Sequence, residues 1–185
     1  TPDGMDKEWY TVTGIAPWVS TVADDVTEIE FSEGFKEISE NSLRKPKTLQ
    51  KIIIPVSCEK VGKGCFLDCP ALTSFEVKTG NTKYKAENGS LLSLDGKQLV
   101  YVPAGKTGDY SVPNNVEEIM PTAFSNCKKM TKITIPASVT KISEDGEYPS
   151  FNGSGTHFTV DGSNAKFCDK DGLLCNKALT CSLSL

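Results

Sequence analysis

The chain has one histidine, His157, and none of the short motifs that mark common catalytic sites. It lacks a Gly-x-Ser-x-Gly nucleophile elbow, a phosphate-binding loop and a His-Glu-x-x-His helix. Long apolar runs are missing as well. The longest, Ile52 to Val56, is interrupted by Pro55 and falls far short of the ~20 residues that span a bilayer as a helix. Basic stripes are absent, and Lys128-Lys129 is the longest lysine run. With a net charge of −4 and a pI near 5.1, nucleic acid is a poor partner. Apolar residues make up only 38% of 185 residues, which suits one domain with a thin core and much surface.

What is present is periodicity. Ile29-x-Phe31, Ile52-x-Ile54 and Phe75-x-Val77 follow one another at 23 residues, as do Tyr110-x-Val112 and Ile133-x-Ile135. Phe158-x-Val160 follows after 25, and one gap, from Phe75 to Tyr110, is 35. Other columns keep the same register. Val26, Leu49, Leu72 and Met130 precede the pair, and Pro55, Pro113 and Pro136 follow it. Ile38, Val61, Ile119 and Ile142 form a second apolar column; Leu43, Phe66 and Phe124 form a third; Pro46, Cys69 and Cys127 form a fourth. A period of 20–50 residues with several columns in register indicates a solenoid whose units stack only on their neighbours. Residues two apart point to one face of a strand, so Ile133 and Ile135 face inward and Thr134 outward. Proline after the pair has no ladder donor and ends the strand. Stacked copies predict a parallel ladder over a continuous apolar core. Val116 to Ile119 and Val139 to Ile142 predict a second, shorter run opposite, with Phe124 between the two.

The unit Val116-x-x-Ile119-x-x-x-Ala123-Phe124-x-x-Cys127-x-x-Met130-x-x-Ile133-x-Ile135-Pro136 resembles the BspA-type, or Treponema-type, leucine-rich repeat. Cys58 to Val77 is a good second match, and Phe31 to Pro55 a decayed one, with Leu43 and Pro46 where Phe and Cys are expected. Glu144 to Ser150 breaks the pattern, with no Ala-Phe at the usual offset. The resemblance implies a mainly β fold: a leucine-rich-repeat solenoid of 23-residue repeats with a parallel strand ladder and inserted β-hairpins. Residues 1–25 are expected to cap it, with the repeat domain over 26–185.

The long gap carries its own signal. Asn81-x-x-Tyr84, Asn88-Gly89, Leu91-Leu92 and Asp95-Gly96 precede Leu99 to Pro103. Asp-Gly and Asn-Gly between apolar runs predict hairpins, because type I′ turns need positive φ. Asn164-x-x-Phe167, Asp171-Gly172 and Leu173-Leu174 repeat the motif, with Asn164 and Gly172 each 83 residues after Asn81 and Gly89. Hairpin insertions are therefore expected at about 80–105 and 163–185.

The remaining site candidates reduce mostly to structure. Cys69 and Cys127 share a repeat column and read as small buried residues. Cys65-x-x-x-Cys69 has no second ligand pair at a structural-zinc spacing. Seven cysteines is odd, so at least one stands outside any internal disulfide; Cys175 and Cys181 flank a candidate turn and could pair. Asp169-x-Asp171-Gly172 reads as a turn rather than a calcium loop, because position twelve is Thr180. No metal, cofactor or catalytic residue is expected, and the domain reads as non-enzymatic.

That leaves the outward strand columns as the expected interaction face: Glu28, Lys51, Ser74, Asp109, Lys132 and His157, beside Glu30, Ile53, Glu76, Ser111, Thr134 and Thr159. Ile53 is the one exposed aliphatic expected there. Glu28 and Glu30 sit beside lysine and isoleucine on an open sheet, where nothing would desolvate them into an acid–base pair. The resemblance implies a secreted or cell-surface bacterial module that binds a protein partner, of the host or of a neighbouring cell. A chain beginning at Thr1 fits a leader already removed. The alternatives are a glycan-binding module, whose test residues are Trp9, Trp18, Tyr101 and Tyr110, and a structural spacer. Oligomeric state stays open.

Overall fold

A computed structural model describes residues 26–43, 45–144, 149–151, 153–154 and 157–178. The expected N-terminal cap, including Trp9 and Trp18, and Cys181 lie outside these residues. The described residues form strands and no helix. In chain order the strands are β1 (Glu28–Glu30), β2 (Glu37–Ile38), β3 (Lys51–Ile54), β4 (Lys60–Val61) and β5 (Ser74–Val77). Then come β6 (Tyr84–Glu87), β7 (Ser90–Ser93), β8 (Gln98–Tyr101), β9 (Gly108–Ser111) and β10 (Glu118–Ile119). The last are β11 (Met130–Ile135), β12 (Lys141–Ile142), β13 (His157–Val160), β14 (Phe167–Lys170) and β15 (Leu173–Asn176).

The paired columns of the sequence are the ladder registers. Ile29, Ile52 and Phe75 stand in line across parallel β1, β3 and β5, and Tyr110, Ile133 and Phe158 across parallel β9, β11 and β13. On the opposite side Ile38 pairs with Val61, and Leu99, Ile119 and Ile142 align across β8, β10 and β12. Together these make a parallel-strand solenoid of about five turns. The third column is also in place. Leu43 N–H donates to Cys65 O, Val102 N–H to Ala123 O and Phe124 N–H to Ser150 O, each at 2.8 Å. Val102 thus fills the phenylalanine slot in the inserted turn. Phe151 restores the slot in the irregular last turn, four residues later than the usual offset, and stacks on Phe124 (centroids 5.0 Å, interplanar 17°).

The long ladder is not continuous. It is two three-stranded sheets, and the core divides into two clusters. The divider is the hairpin of β6 and β7, which pairs antiparallel across the Asn88-Gly89 turn and continues into β8. Consecutive strand residues point to opposite faces. Leu91 accordingly packs into the first cluster and Leu92 into the second, both fully buried. Gly89 O accepts Phe75 N–H (2.8 Å) at the edge of β5, where the next rung would otherwise add. The second hairpin, β14 and β15 around Asp171-Gly172, repeats this at β13, with Gly172 O accepting Phe158 N–H (2.8 Å). Both turns have the positive φ that the sequence predicts: Asn88 +50°, Gly89 +74°, Asp171 +53° and Gly172 +79°. In this register Cys168 stands opposite Cys175.

Each hairpin is anchored by one buried asparagine. Asn81 Nδ2 donates to Pro55 O (2.8 Å) and Cys58 O (3.0 Å), while its Oδ1 accepts Lys83 and Tyr84 N–H (both 2.8 Å). Asn164 makes the same four bonds to Pro136 O, Val139 O, Lys166 N–H and Phe167 N–H. Proline at the strand end and asparagine 26 or 28 residues later are thus one device: the amide satisfies the carbonyls that the broken ladder leaves open.

On the short ladder, Glu118 of β10 takes donors from Gln98 Nε2 (2.8 Å), Lys141 Nζ (2.7 Å) and Ser143 Oγ (2.5 Å). Burial pushes its carboxyl up, but the three donors outweigh burial and hold it below its ordinary value of 4.5. A folded pKa below the unfolded one gives stability that is present above the unfolded value and lost as pH falls through the folded one. Glu118→Gln should therefore cost about 1–2 kcal/mol at neutral pH. The variant should also show a shallower loss of stability below pH 4.5 than the parent, in urea unfolding repeated across pH. Parallel pH profiles would reject this role.

Candidate interaction surface

The outward residues of the first ladder form two rows: Glu28, Lys51 and Ser74, and Glu30, Ile53 and Glu76. Lys51 Nζ lies 2.7 Å from Glu76 and 3.8 Å from Glu28. The hydrogen bond to Glu76 is the main reason its ammonium titrates above the ordinary lysine range. Lys78 pairs with Glu30, crossing the strand between them. These pairs are well hydrated, worth at most ~1 kcal/mol each. Their geometry corrects one expectation. Ile53, expected as an exposed aliphatic, is only 6% exposed. It sits between Glu30 and Glu76 in register, and the Glu30–Lys78 pair spans its strand, a place where long charged side chains commonly lay their methylenes over an apolar neighbour.

The second ladder carries Asp109, Lys132 and His157 in one row and Ser111, Thr134 and Thr159 in the other. Lys132 Nζ lies 2.9 Å from Asp109, which also accepts from Thr131 Oγ1 (2.6 Å). That hydroxyl first, and Lys132 second, hold the Asp109 carboxyl below the usual range. His157 is exposed beside the second hairpin, where a Cβ on Gly172 would lie 2.0 Å from its Nδ1. A side chain at Gly172 would have to push His157 aside, and the φ of +79° there favours glycine as well. The twelve expected residues therefore do not make one face: a hairpin separates Glu28, Glu30, Lys51, Ile53, Ser74 and Glu76 from the other six.

The hairpin adds something the sequence reading missed. Between β5 and the hairpin lies an open groove of about 570 Å³, lined among others by Lys51, Ser74, Glu76, Lys78, Lys85 and Leu94. Leu94, in the turn between β7 and β8, is 49% exposed. Its signal in the sequence was a leucine directly before a turn-forming Asp95-Gly96, outside every repeat column.

Of the residues named for glycan binding, Trp9 and Trp18 lie outside the described residues, and the two tyrosines do not present aromatic faces. Tyr101 and Tyr110 are buried, at 5% and 9%. The Tyr101 hydroxyl donates to Gly62 O (3.0 Å) and accepts from Cys65 N–H (3.2 Å) and Thr122 Oγ1 (3.1 Å); the Tyr110 hydroxyl donates to Ser90 Oγ (2.9 Å). Both rings serve packing. The cysteine columns are likewise core: Cys69 and Cys127 are fully buried, and burial pushes both thiols up to about 12. Among the described residues no cluster of three or more His, Cys, Asp or Glu is placed to hold a metal ion. No helix there is long and apolar enough to cross a membrane.

Three solved structures share this architecture. The pneumococcal vaccine antigen PcpA is 21% identical, with a TM-score of 0.64 over 75% of this chain and 40% of its own. A leucine-rich repeat protein from Eubacterium ventriosum is 22% identical, with a TM-score of 0.55 over 72% of this chain and 42% of its own. A leucine rich cell surface protein from Faecalibacterium prausnitzii is 19% identical, with a TM-score of 0.56 over 76% and 42%. The chain spans about two fifths of the length of each. No curated protein matches it. The family model of the BspA type leucine rich repeat region matches residues 20–90 and 105–154 in six copies. Those copies are the rungs whose inward columns and hairpin break are seen in the fold, and the chain belongs to the BspA type leucine rich repeat family.

Proposed function

We propose that the chain is a non-enzymatic interaction module of a secreted or surface protein, and that it engages a protein partner through the first strand face and the adjoining hairpin groove. Leucine-rich repeats generally mediate protein interactions and their fold is generally non-catalytic. The surface setting is drawn from structural neighbours described as a vaccine antigen and a cell surface protein. The observation that carries the reading is the groove itself. Its lining offers charges of both signs, Lys51 and Glu76 already paired with each other, and one exposed leucine. A protein surface can match such a mixture. An apolar anchor ringed by rim charges is the usual anatomy of a protein contact.

The test is saturable binding of the purified domain to immobilised host matrix proteins and bacterial surface proteins, with Leu94→Asp as the variant. Losing a central apolar anchor costs ~2 kcal/mol or more, about thirty-fold in Kd. Binding that Leu94→Asp leaves unchanged would move the site elsewhere. Binding to no protein on the panel would favour a spacer.

A further inference from the structure

Four lysines far apart in sequence meet on the side of the solenoid away from the strand faces. Lys45, Lys47, Lys128 and Lys129, with Asp68, Pro70, Ala104 and Asn126, line a groove of about 370 Å³. The repeat geometry explains why they meet. Lys45, Asp68, Ala104 and Asn126 each stand two residues after the third-column residue of their turn: Leu43, Phe66, Val102 and Phe124. Three of the four take left-handed backbone, Lys45 at φ +72°, Asp68 at +59° and Asn126 at +58°. Asp and Asn tolerate that conformation; for lysine it costs about 1 kcal/mol. The groove therefore runs along the stacking axis from the first turn to the fourth. Three ladder spacings put roughly 14 Å between the backbones of its first and last turns, and the Lys129 side chain reaches back to Pro70 of the second turn.

Among the described residues the four ammonium groups there make no ion pair, whereas most lysines of the two ladders do. Lys36, Lys51, Lys60, Lys78, Lys97, Lys132 and Lys141 each pair with a carboxylate. The one carboxylate lining the groove, Asp68, accepts from Asn126 Nδ2 (2.6 Å) and leaves four ammonium groups against one negative charge, while Lys129 Nζ donates to Pro70 O (2.9 Å). None of the residues lining the groove belongs to a strand, so it offers no sheet edge for pairing. An extended peptide laid here would find few backbone partners and bury its own amides unpaired. A sugar chain has no such need. Its hydroxyls stay in water while its carboxylate or sulfate groups reach the ammonium ions, which bind as point charges without fixed geometry.

We propose that this groove binds a linear anionic polysaccharide, lying along the solenoid axis with its acidic groups on Lys45 and Lys47 at one end and Lys128 and Lys129 at the other. The site is separate from the strand-face groove and does not rest on it.

The experiment measures binding to heparin and to polygalacturonate at about 0.15 M salt, where exposed charges more than ~8 Å apart are screened. Neutral dextran and poly-glutamate run alongside. The groove variant changes Lys45, Lys47 and Lys128 to Gln and keeps Lys129, which holds Pro70. A control changes Lys83, Lys166 and Lys170 to Gln, for the same loss of charge. The expected result is saturable binding to at least one acidic polysaccharide, reduced about ten-fold or more in the groove variant, with a smaller salt dependence. The control should stay within about two-fold and dextran should not bind, as a site-specific charge contact requires. Equal losses in both triple variants, or no binding of either polysaccharide, would overturn the proposal. Poly-glutamate binding as tightly as the polysaccharides would overturn the choice of a glycan.

Discussion

Asn81→Ala should lower the stability of the domain by about 4 kcal/mol, the combined effect of losing four hydrogen bonds to backbone groups, of which Pro55 O keeps a second partner, Cys58 N–H at 3.3 Å. Those groups are Pro55 O, Cys58 O, Lys83 N–H and Tyr84 N–H, and Asn81 itself is 6% exposed, so little water reaches them. At ~2–4 °C per kcal/mol for a chain of this size, the melting temperature should fall by about 10 °C. Asn81→Asp separates the two halves of the device. It keeps an acceptor for the two N–H groups but faces two carbonyls with no donor, and should be nearly as damaging. Asn164→Ala should act the same way on the second hairpin. Calorimetry of the three variants checks this. A loss below 1 kcal/mol in Asn81→Ala would mean that the hairpin is held by its own ladder and not by the amide.

Phe124→Ala should cost about 4 kcal/mol, in the range for deleting a fully buried ring. Phe124 is 0% exposed. It meets Tyr110 edge-on (5.5 Å, 80°) and stacks on Phe151, which in turn meets Phe158 edge-on (4.9 Å, 86°). Because each rung contacts only its neighbours, the damage should stay local. Hydrogen exchange is expected to accelerate across β9, β11 and β13, while β1, β3 and β5, which belong to the other apolar cluster, change much less. Phe124→Leu should recover most of the stability. Uniform acceleration in both halves would show that the two clusters unfold as one unit.

Much of this fold was legible in advance because a solenoid repeats its local rules. Ile29, Ile52 and Phe75 needed no structure to be placed in one column: a fixed period forces equivalent residues into register, and alternation along a strand fixes which face they share. Asn88-Gly89 and Asp171-Gly172 were readable as turns because few residues accept positive φ. The surface was harder. Ile53 looked exposed because alternation says only that a side chain leaves the core; it stands between Glu30 and Glu76 of the neighbouring strands, and the Glu30–Lys78 pair spans its own strand. Tyr101 looked available to a sugar because nothing in a hairpin insertion says which face meets which cluster, whereas the burial of Tyr110 follows from its place in the inward column beside Ile133.

By itself, the sequence determined the repeat, its inward columns, the short ladder opposite and the two hairpin turns, since each follows from side-chain direction or backbone sterics within one unit. Only the tertiary structure decided that the hairpin divides the long ladder and the core in two, that Leu94 lines a groove, and that Lys45 and Lys47 share a groove with Lys128 and Lys129. Those outcomes depend on how many turns lie between residues more than 80 positions apart and on what an inserted hairpin does to a ladder edge. Both are set by stacking, in which the distance between two side chains is counted in rungs and not in residues.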